Sequence, residues 1–127
     1  MYKQPDQDIY DKFYQICLDH GYNQADRGEL EYPFVAFGVT NFVPNPSKTQ
    51  LLGRVSMTFR VYGDYMMRKE TSDIAANILR DLSVIDSKYG YNIQILYRDT
   101  SVAMRHGVQK NSRQWIADVT TQFRILN

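Results

Sequence analysis

Four stretches of the chain have the apolar pattern of a β-strand. Apolar residues occupy every second position from Val55 to Val61, which is typical of a strand with one buried face. A second and longer alternation begins at Trp115 and continues almost to the last residue. The apolar run at residues 32–39 and the alternation at residues 91–97 predict two more strands.

Two other stretches have apolar residues at spacings of three and four, which predicts helices. The first follows Pro5, carries Cys17 on its apolar stripe and ends near Gly21. The second follows the strand at 55–62, and its apolar stripe is Ile74, Ala75, Ile78, Leu79, Leu82 and Ile85. The order of these elements predicts an α+β fold: a mainly antiparallel sheet of about four to five strands, with two helices packed on one face.

The length of 127 residues suits one domain, so we expect residues 1–127 to form a single α+β unit. Two polar stretches separate the predicted strands. Residues 41–54 contain two prolines, and the sequence predicts a long hairpin loop there. Residues 99–114 have too weak a pattern for a regular element, and we interpret them as a loop or a broken edge strand.

Composition argues against several classes of function. The net charge is +1, with one cysteine and two histidines, so we expect no disulfide, no structural metal and no cofactor. The seven glycines form no nucleotide-binding motif, and no nucleophile has an orienting partner nearby, so we expect no enzyme activity. No apolar run approaches the roughly 20 residues that span a bilayer, which predicts a cytosolic protein without a membrane partner.

Polar positions on the predicted loops and on the open sheet face are candidates for contacts with partners. The candidates are Pro44, Lys48 and Arg54 in the first loop, Arg60 and Tyr62 on the sheet, and Arg105, His106, Lys110 and Arg113 in the second loop. For the second, basic loop, solvation is the simplest explanation, and contact with an acidic protein surface or with DNA comes next. Sequence-specific binding of nucleic acid is not expected, since no recognition element is present.

Several of these segments together resemble one family of phage proteins. They are Tyr32-Pro33-Phe34-Val35 with Gly38, the loop with Lys48-Thr49, the strand Thr58-Phe59-Arg60-Val61-Tyr62-Gly63, and Arg68-Lys69-Glu70 at the start of a helix. The chain resembles the tail terminator or tail completion proteins at the head-tail interface of long-tailed, non-contractile phages. Val39 stands where these proteins often have an acidic residue.

This resemblance implies a virion structural protein without enzyme activity. It implies an α+β subunit that assembles in the host cytoplasm into a homo-oligomeric ring, commonly a hexamer. The ring caps the tail tube protein and offers a surface to the head-tail connector protein. A head-tail joining protein is the alternative within the same class, and a small nucleic-acid-binding module is the alternative from another class.

Overall fold

Within the described part of the chain, two helices and seven strands surround a central pair of long strands. The computed structural model describes residues 5–25, 28, 31–44, 51–83, 85–86, 92–109 and 112–126. In chain order the elements are α1 (Pro5–His20), β1 (Asn23–Gln24), β2 (Phe34–Pro44), β3 (Leu51–Asp64), α2 (Arg68–Leu82), β4 (Ile85–Asp86), β5 (Asn92–Ile95), a 3-10 helix (Tyr97–Asp99), β6 (Ser101–Gln109) and β7 (Ser112–Leu126).

Strand β7 is the strand that the two sides of the sheet share. Along one edge it pairs antiparallel with β3, from Leu51 opposite Leu126 to Asp64 opposite Gln114. Along its other edge, the first part of β7 pairs with β6 and the last part with β5. The sheet order is therefore β1-β2-β3-β7-β5-β4, with β6 beside β7 as well.

The α+β fold predicted from the sequence is confirmed. All strand pairs are antiparallel except that of β1 with β2, and both helices lie against the sheet. The described residues contain more strands than the four to five predicted, because β1 and β4 have only two residues each. A two-residue strand has no periodicity that a sequence pattern can reveal.

The core lies between the helices and one face of the sheet. In β3 the alternate residues Val55, Met57, Phe59 and Val61 are fully buried, as the alternation predicts. Their neighbours from the other elements are Ile9, Phe13, Ile16 and Cys17 of α1, Ile74, Ala75, Ile78 and Leu82 of α2, and Ala117, Val119, Phe123 and Ile125 of β7. Cys17 is thus a core residue, as predicted.

The short join between β3 and α2 requires a glycine. A Cβ atom at Gly63 would collide with the hydroxyl of Thr71, whose Oγ1 donates a hydrogen bond to the carbonyl of Met67 at 2.6 Å. The first turn of α2 can therefore pack directly against the end of β3. Because the strand and the helix are connected this tightly, α2 returns across the buried face of the sheet.

Residues 99–114 were predicted to be a loop or a broken edge strand. Most of them form the regular edge strand β6, so the edge-strand alternative is confirmed and the loop is wrong. The row of β6 that faces the helix side is Val102, Met104, His106 and Val108. A histidine interrupts this row, and Val102 and Val108 are exposed. An edge strand buries less of its apolar row than a central strand, so the sequence shows only a weak alternation.

The predicted loop at 41–54 is also shorter than expected. Residues 41–44 belong to β2 and residues 51–54 to β3, with Pro44 opposite Gly53. Pro44 is tolerated because it ends the strand. The middle of this stretch, residues 45–50, lies outside the described residues.

Two smaller boundaries also differ from the prediction. Ile85, predicted on the apolar stripe of the second helix, belongs instead to β4, because α2 ends at Leu82. The strand predicted at 91–97 is described only as Asn92–Ile95, and Tyr97 begins the 3-10 helix. In both cases an apolar residue that lies beyond the end of the helix or strand happens to fit the spacing of its apolar positions.

Phe59 lies at the centre of this core and provides a test of the β3 register. Its ring centroid is 5.0 Å from that of Phe13, and its side chain is fully buried. We expect Phe59→Ala to lower the free energy of unfolding by roughly 3–5 kcal/mol, measured by urea denaturation. The control is Tyr97→Ala, because Tyr97 is 70% exposed. Equal stability of the two variants would contradict the buried position of Phe59.

An ion pair connects the two helices near their C-terminal ends. Nε2 of His20 lies 2.7 Å from Oδ2 of Asp81. This hydrogen bond is the main cause that lowers the pKa of Asp81 below its ordinary value of 3.8. Because the folded-state pKa is lower than that of the unfolded chain, the contact contributes stability above pH 3.8. The contribution is lost as the pH falls through the folded-state pKa.

We therefore expect Asp81→Asn to make stability less sensitive to acid. The measurement is the free energy of unfolding of the wild type and the variant between about pH 5 and pH 2. Asp73→Asn, which removes a more exposed carboxylate of the same helix, serves as the control. If Asp81→Asn loses stability with falling pH as steeply as the wild type does, the pair does not contribute as the geometry suggests.

Candidate interface on the sheet

The face of the sheet opposite the helices carries the predicted contact residues of β3 and β7. We call it the polar face. Seven of its residues are half-buried or exposed, as the alternation predicts: Ser56, Thr58, Arg60, Tyr62, Thr120, Gln122 and Arg124. Ile116, which lies opposite Tyr62 on the same face, is buried. Neighbouring strands β2 and β6 extend the same face on either side.

Two arginines meet one carboxylate at the middle of the polar face. Nε of Arg60 lies 2.7 Å from Oδ1 of Asp118, and Nε of Arg105 donates a hydrogen bond of 2.5 Å to Oδ2. The Arg60 contact is an ion pair without hydrogen-bond alignment. We call these three residues the Arg-Asp-Arg cluster, which carries a net charge of +1.

Strand register explains why these residues meet. Arg60 is directly opposite Asp118 in the β3–β7 ladder, and on the β6 side Asp118 is opposite Ala103. Arg105 is two residues further along β6, so it reaches Asp118 diagonally, over a distance that a long side chain can span. The cluster therefore crosses three strands: β3, which is distant in sequence, and the consecutive strands β6 and β7.

The neighbours of Arg60 stabilise its positive charge. The pKa of Arg60 is raised above its ordinary value, first by a hydrogen bond to Tyr62 and next by the negative charge of Asp118. Arginine is already protonated at any pH in which the protein folds, so this shift keeps the charge fixed. More than half of the Arg60 side chain is exposed, which leaves the guanidinium open to a partner.

An aromatic stack supports the Tyr62 side of the cluster. The ring of Phe34 lies between those of Tyr32 and Tyr62, with centroid distances of 5.4 and 4.9 Å. The hydroxyl of Tyr32 donates a hydrogen bond of 2.7 Å to Oε1 of Gln114. The stack connects β2, β3 and β7 on the polar face, so Tyr62 has little freedom to move away from Arg60.

A hollow of 540 Å³ lies beside the cluster, above β2, β3 and β7. It exists because β2 has the small residues Ala36 and Gly38 here, next to a bulge between Phe37 and Thr40. A Cβ atom at Gly38 would collide with Thr58, whose Oγ1 accepts a hydrogen bond of 3.1 Å from the N–H of Val39. Its lining combines hydroxyl groups and one ion pair with apolar residues such as Phe37 and Val39, a mixture that suits contact with another protein surface.

The basic residues predicted to share the second loop do not lie together among the described residues. Arg105 points to the polar face, whereas His106 points to the other face and contacts the ring of Trp115, with centroids 3.9 Å apart. Arg113 is exposed on β7, and Lys110 lies outside the described residues. Because consecutive side chains of a strand point to opposite faces, forming β6 separates this charge.

The remaining candidates lie at the far end of β2 and β3. Pro44 is exposed at the end of β2, and Arg54 is exposed and lies beside Arg124 in the ladder. Arg54 is six residues from Arg60 along β3, which is about 20 Å of strand. These residues therefore do not belong to the Arg-Asp-Arg cluster. Lys48 lies outside the described residues.

Asp118 is the central residue that sequence analysis missed. It occurs in the polar half of the last alternation, where a single acidic residue is unremarkable. One signal was present: Asp118 is the single acidic residue of the last predicted strand. Only the strand register shows that Asp118 lies opposite Arg60.

In the described residues, no helix is long and apolar enough to span a membrane.

A double-mutant cycle tests the coupling within the cluster. We expect Arg105→Gln and Asp118→Asn to show a coupling energy of about 0.5–1 kcal/mol, the range of exposed ion pairs. The coupling should weaken as salt concentration rises, because salt screens exposed charges. Arg80→Gln on α2, combined with Asp118→Asn, is the control and should be additive. A coupling energy near zero for the Arg105 pair would show that the contact contributes nothing to stability.

Comparisons with known proteins found a similar fold among solved structures. No protein-family model matches the chain, and a search of curated proteins found no similar sequence. Among solved structures, the chain is similar to the bacteriophage SPP1 gp17 protein, with a TM-score of 0.51 and 16% sequence identity. The match covers 94% of this chain and 91% of that chain. The chain therefore has a fold that a bacteriophage protein also has.

Proposed function

We propose that the protein is a virion structural protein of a phage, and specifically a tail terminator. In this proposal it forms a ring that caps the tail tube and provides the surface for head attachment. The observation that carries the proposal is the fold shared with bacteriophage SPP1 gp17 over nearly the whole of both chains. The sequence segments that resemble tail terminators support the same assignment.

The character of the polar face agrees with a contact surface of this kind. Its hollow is lined by hydroxyl groups, small residues, apolar residues and the Arg60–Asp118 ion pair. The Arg-Asp-Arg cluster beside it has one unbalanced positive charge. Interfaces that form between separately folded subunits are commonly as polar as the rest of a protein surface. The proposed partners are other copies of this chain in a ring, commonly a hexamer, the tail tube protein and the head-tail connector. We propose no enzyme activity.

A head-tail joining protein is the second candidate, and the shared fold supports it equally. The two roles differ in what happens when the protein is absent. A terminator stops the growth of the tail tube, whereas a joining protein only attaches a finished tail to a head. Tail length therefore separates the two roles.

Binding of nucleic acid has less support than the sequence suggested. Arg60 and Arg105 share one carboxylate, and β6 directs Arg105 and His106 to opposite faces. A DNA-binding protein would lose affinity steeply as salt rises, because bound phosphates release counterions. We expect no such salt-dependent binding of duplex DNA, measured with a short fluorescent duplex.

Loss of the chain in its phage tests the proposed function. We expect phage with an early stop codon in this gene to produce tails of uncontrolled length that do not join heads, as seen by electron microscopy of lysates. The matched control is the same phage with the intact chain supplied from a plasmid, which should restore tail length. Tails of normal length that remain unattached would favour the joining role. Normal length with normal attachment would contradict both.

Gene loss is a better test here than charge reversal at Arg60 or Arg105. Both arginines contact Asp118, so a glutamate at either position would place two carboxylates together within the subunit. Like charges at such a distance destabilise the fold itself. A failure to assemble could then not be assigned to the interface.

A further inference from the structure

Apart from the short outer strands β1 and β4, two strands of the described sheet have a long unpaired edge. On one side, β1 pairs only with Phe34 and Val35, so the outer edge of β2 has no partner at residues 36–44 among the described residues. On the other side, β6 pairs with β7 along one edge and, in the described part of the chain, has no partner on the other. Each open edge is nine residues long.

These edges lack most of the features that keep an edge strand from pairing with another chain. Proteins usually protect such edges with charged side chains, proline or bulges. Residues 36–44 of β2 contain no charged residue, and Arg105 of β6 is held against Asp118 on the polar face. The β2 bulge and Pro44 interrupt that edge but leave residues 40–43 regular.

Exposed valines lie along both edges. On β2 they are Val39 and Val43, and on β6 they are Val102 and Val108, each at least 43% exposed. Valine favours strands and packs well against a neighbouring strand. Apolar residues at an uncharged open edge favour addition of another strand, which main-chain hydrogen bonds would hold.

Strand directions decide how two copies could join. Because β2, β3, β7 and β6 are successively antiparallel, β2 and β6 run in opposite directions. If two copies lie side by side in the same orientation, β6 of one copy lies antiparallel to β2 of the next. Antiparallel pairing is slightly more stable per residue than parallel pairing. Such a contact joins two different surfaces, and repeating it closes a ring when the rotation allows.

We propose that β6 of one copy pairs with β2 of the next copy, so that a second copy of this chain occupies each open edge. The ring is then held by one continuous antiparallel sheet across its subunit boundaries. This inference rests on the proposed ring-forming function, and it specifies which surfaces form the ring. The polar face does not take part in this contact and stays available to other partners.

Two variants block one edge each. The β2-edge variant combines Val39→Lys with Val43→Lys, and the β6-edge variant combines Val102→Lys with Val108→Lys. All four side chains are exposed in the single subunit, so lysine should leave the fold intact. In the proposed contact the lysines would lie against a neighbouring strand, where unpaired charge is costly. Leu18→Lys on α1, also at an exposed apolar residue, is the control.

Analytical ultracentrifugation over a concentration series measures the outcome. We expect the wild type and Leu18→Lys to form rings and each edge variant to stay monomeric, with a dissociation constant at least tenfold higher. An equal mixture of the two edge variants should form a dimer and nothing larger. The intact β6 edge of the β2-edge variant can pair with the intact β2 edge of the β6-edge variant, and both edges that remain in this dimer are blocked. Circular dichroism should show the same fold for all four proteins.

Other outcomes overturn the inference. Rings from either edge variant, or dimers from one variant alone, would show that the subunits join through other surfaces. A wild type that stays monomeric at every concentration would also overturn it. These results are distinct from failure of the proposed function, which the tail length of phage lacking the chain decides on its own. Normal tails without the protein would reject the terminator even if the edges pair.

Discussion

The antiparallel pairing of β3 with β7 is the constraint on which the rest of the structure depends. It runs along almost the full length of both strands and fixes the register of every row that crosses the sheet. On one face this register aligns Phe59 with Val119 in the core, and on the other it aligns Arg60 with Asp118. A slip by one residue would exchange the two faces, bury the charges and expose the apolar row. The core and the candidate interface therefore depend on the same pairing.

The parts of the fold that the sequence predicted are those in which one face of an element is fully buried. The alternation of β3, the last alternation in β7 and the stripes of both helices all correspond to buried rows. Each such row has a period that the sequence displays directly. Strand β6 lacks this signal, because its inner row includes His106 and stays largely exposed. The two-residue strands lack it because they are too short to show a period.

The candidate site shows a different limit of sequence analysis. Arg60, Tyr62 and Arg105 were identified as contact residues from polarity and position alone. Their meeting at Asp118 depends on two strand registers: that of β3 with β7, which joins segments distant in sequence, and that of β6 with β7, which are consecutive strands. No local pattern contains that information. The same registers separate Arg105 from His106, although these two are adjacent in sequence and were grouped together.

The Arg-Asp-Arg cluster also bears on the open edge of β6. A positive charge projecting from an edge strand normally discourages pairing with another chain. Here Arg105 is held inward, toward β7, by its hydrogen bond to Asp118. The cluster is worth little as a source of stability, since exposed ion pairs contribute about 0–1 kcal/mol. Its larger effect is on the edge: strand alternation places the only arginine of β6 on the polar face, and the cluster holds that side chain against Asp118, away from the open edge. In the proposed ring, the Arg-Asp-Arg cluster would thus affect two surfaces. It gives the polar face a positive charge, and it leaves the β6 edge free to pair with the next subunit.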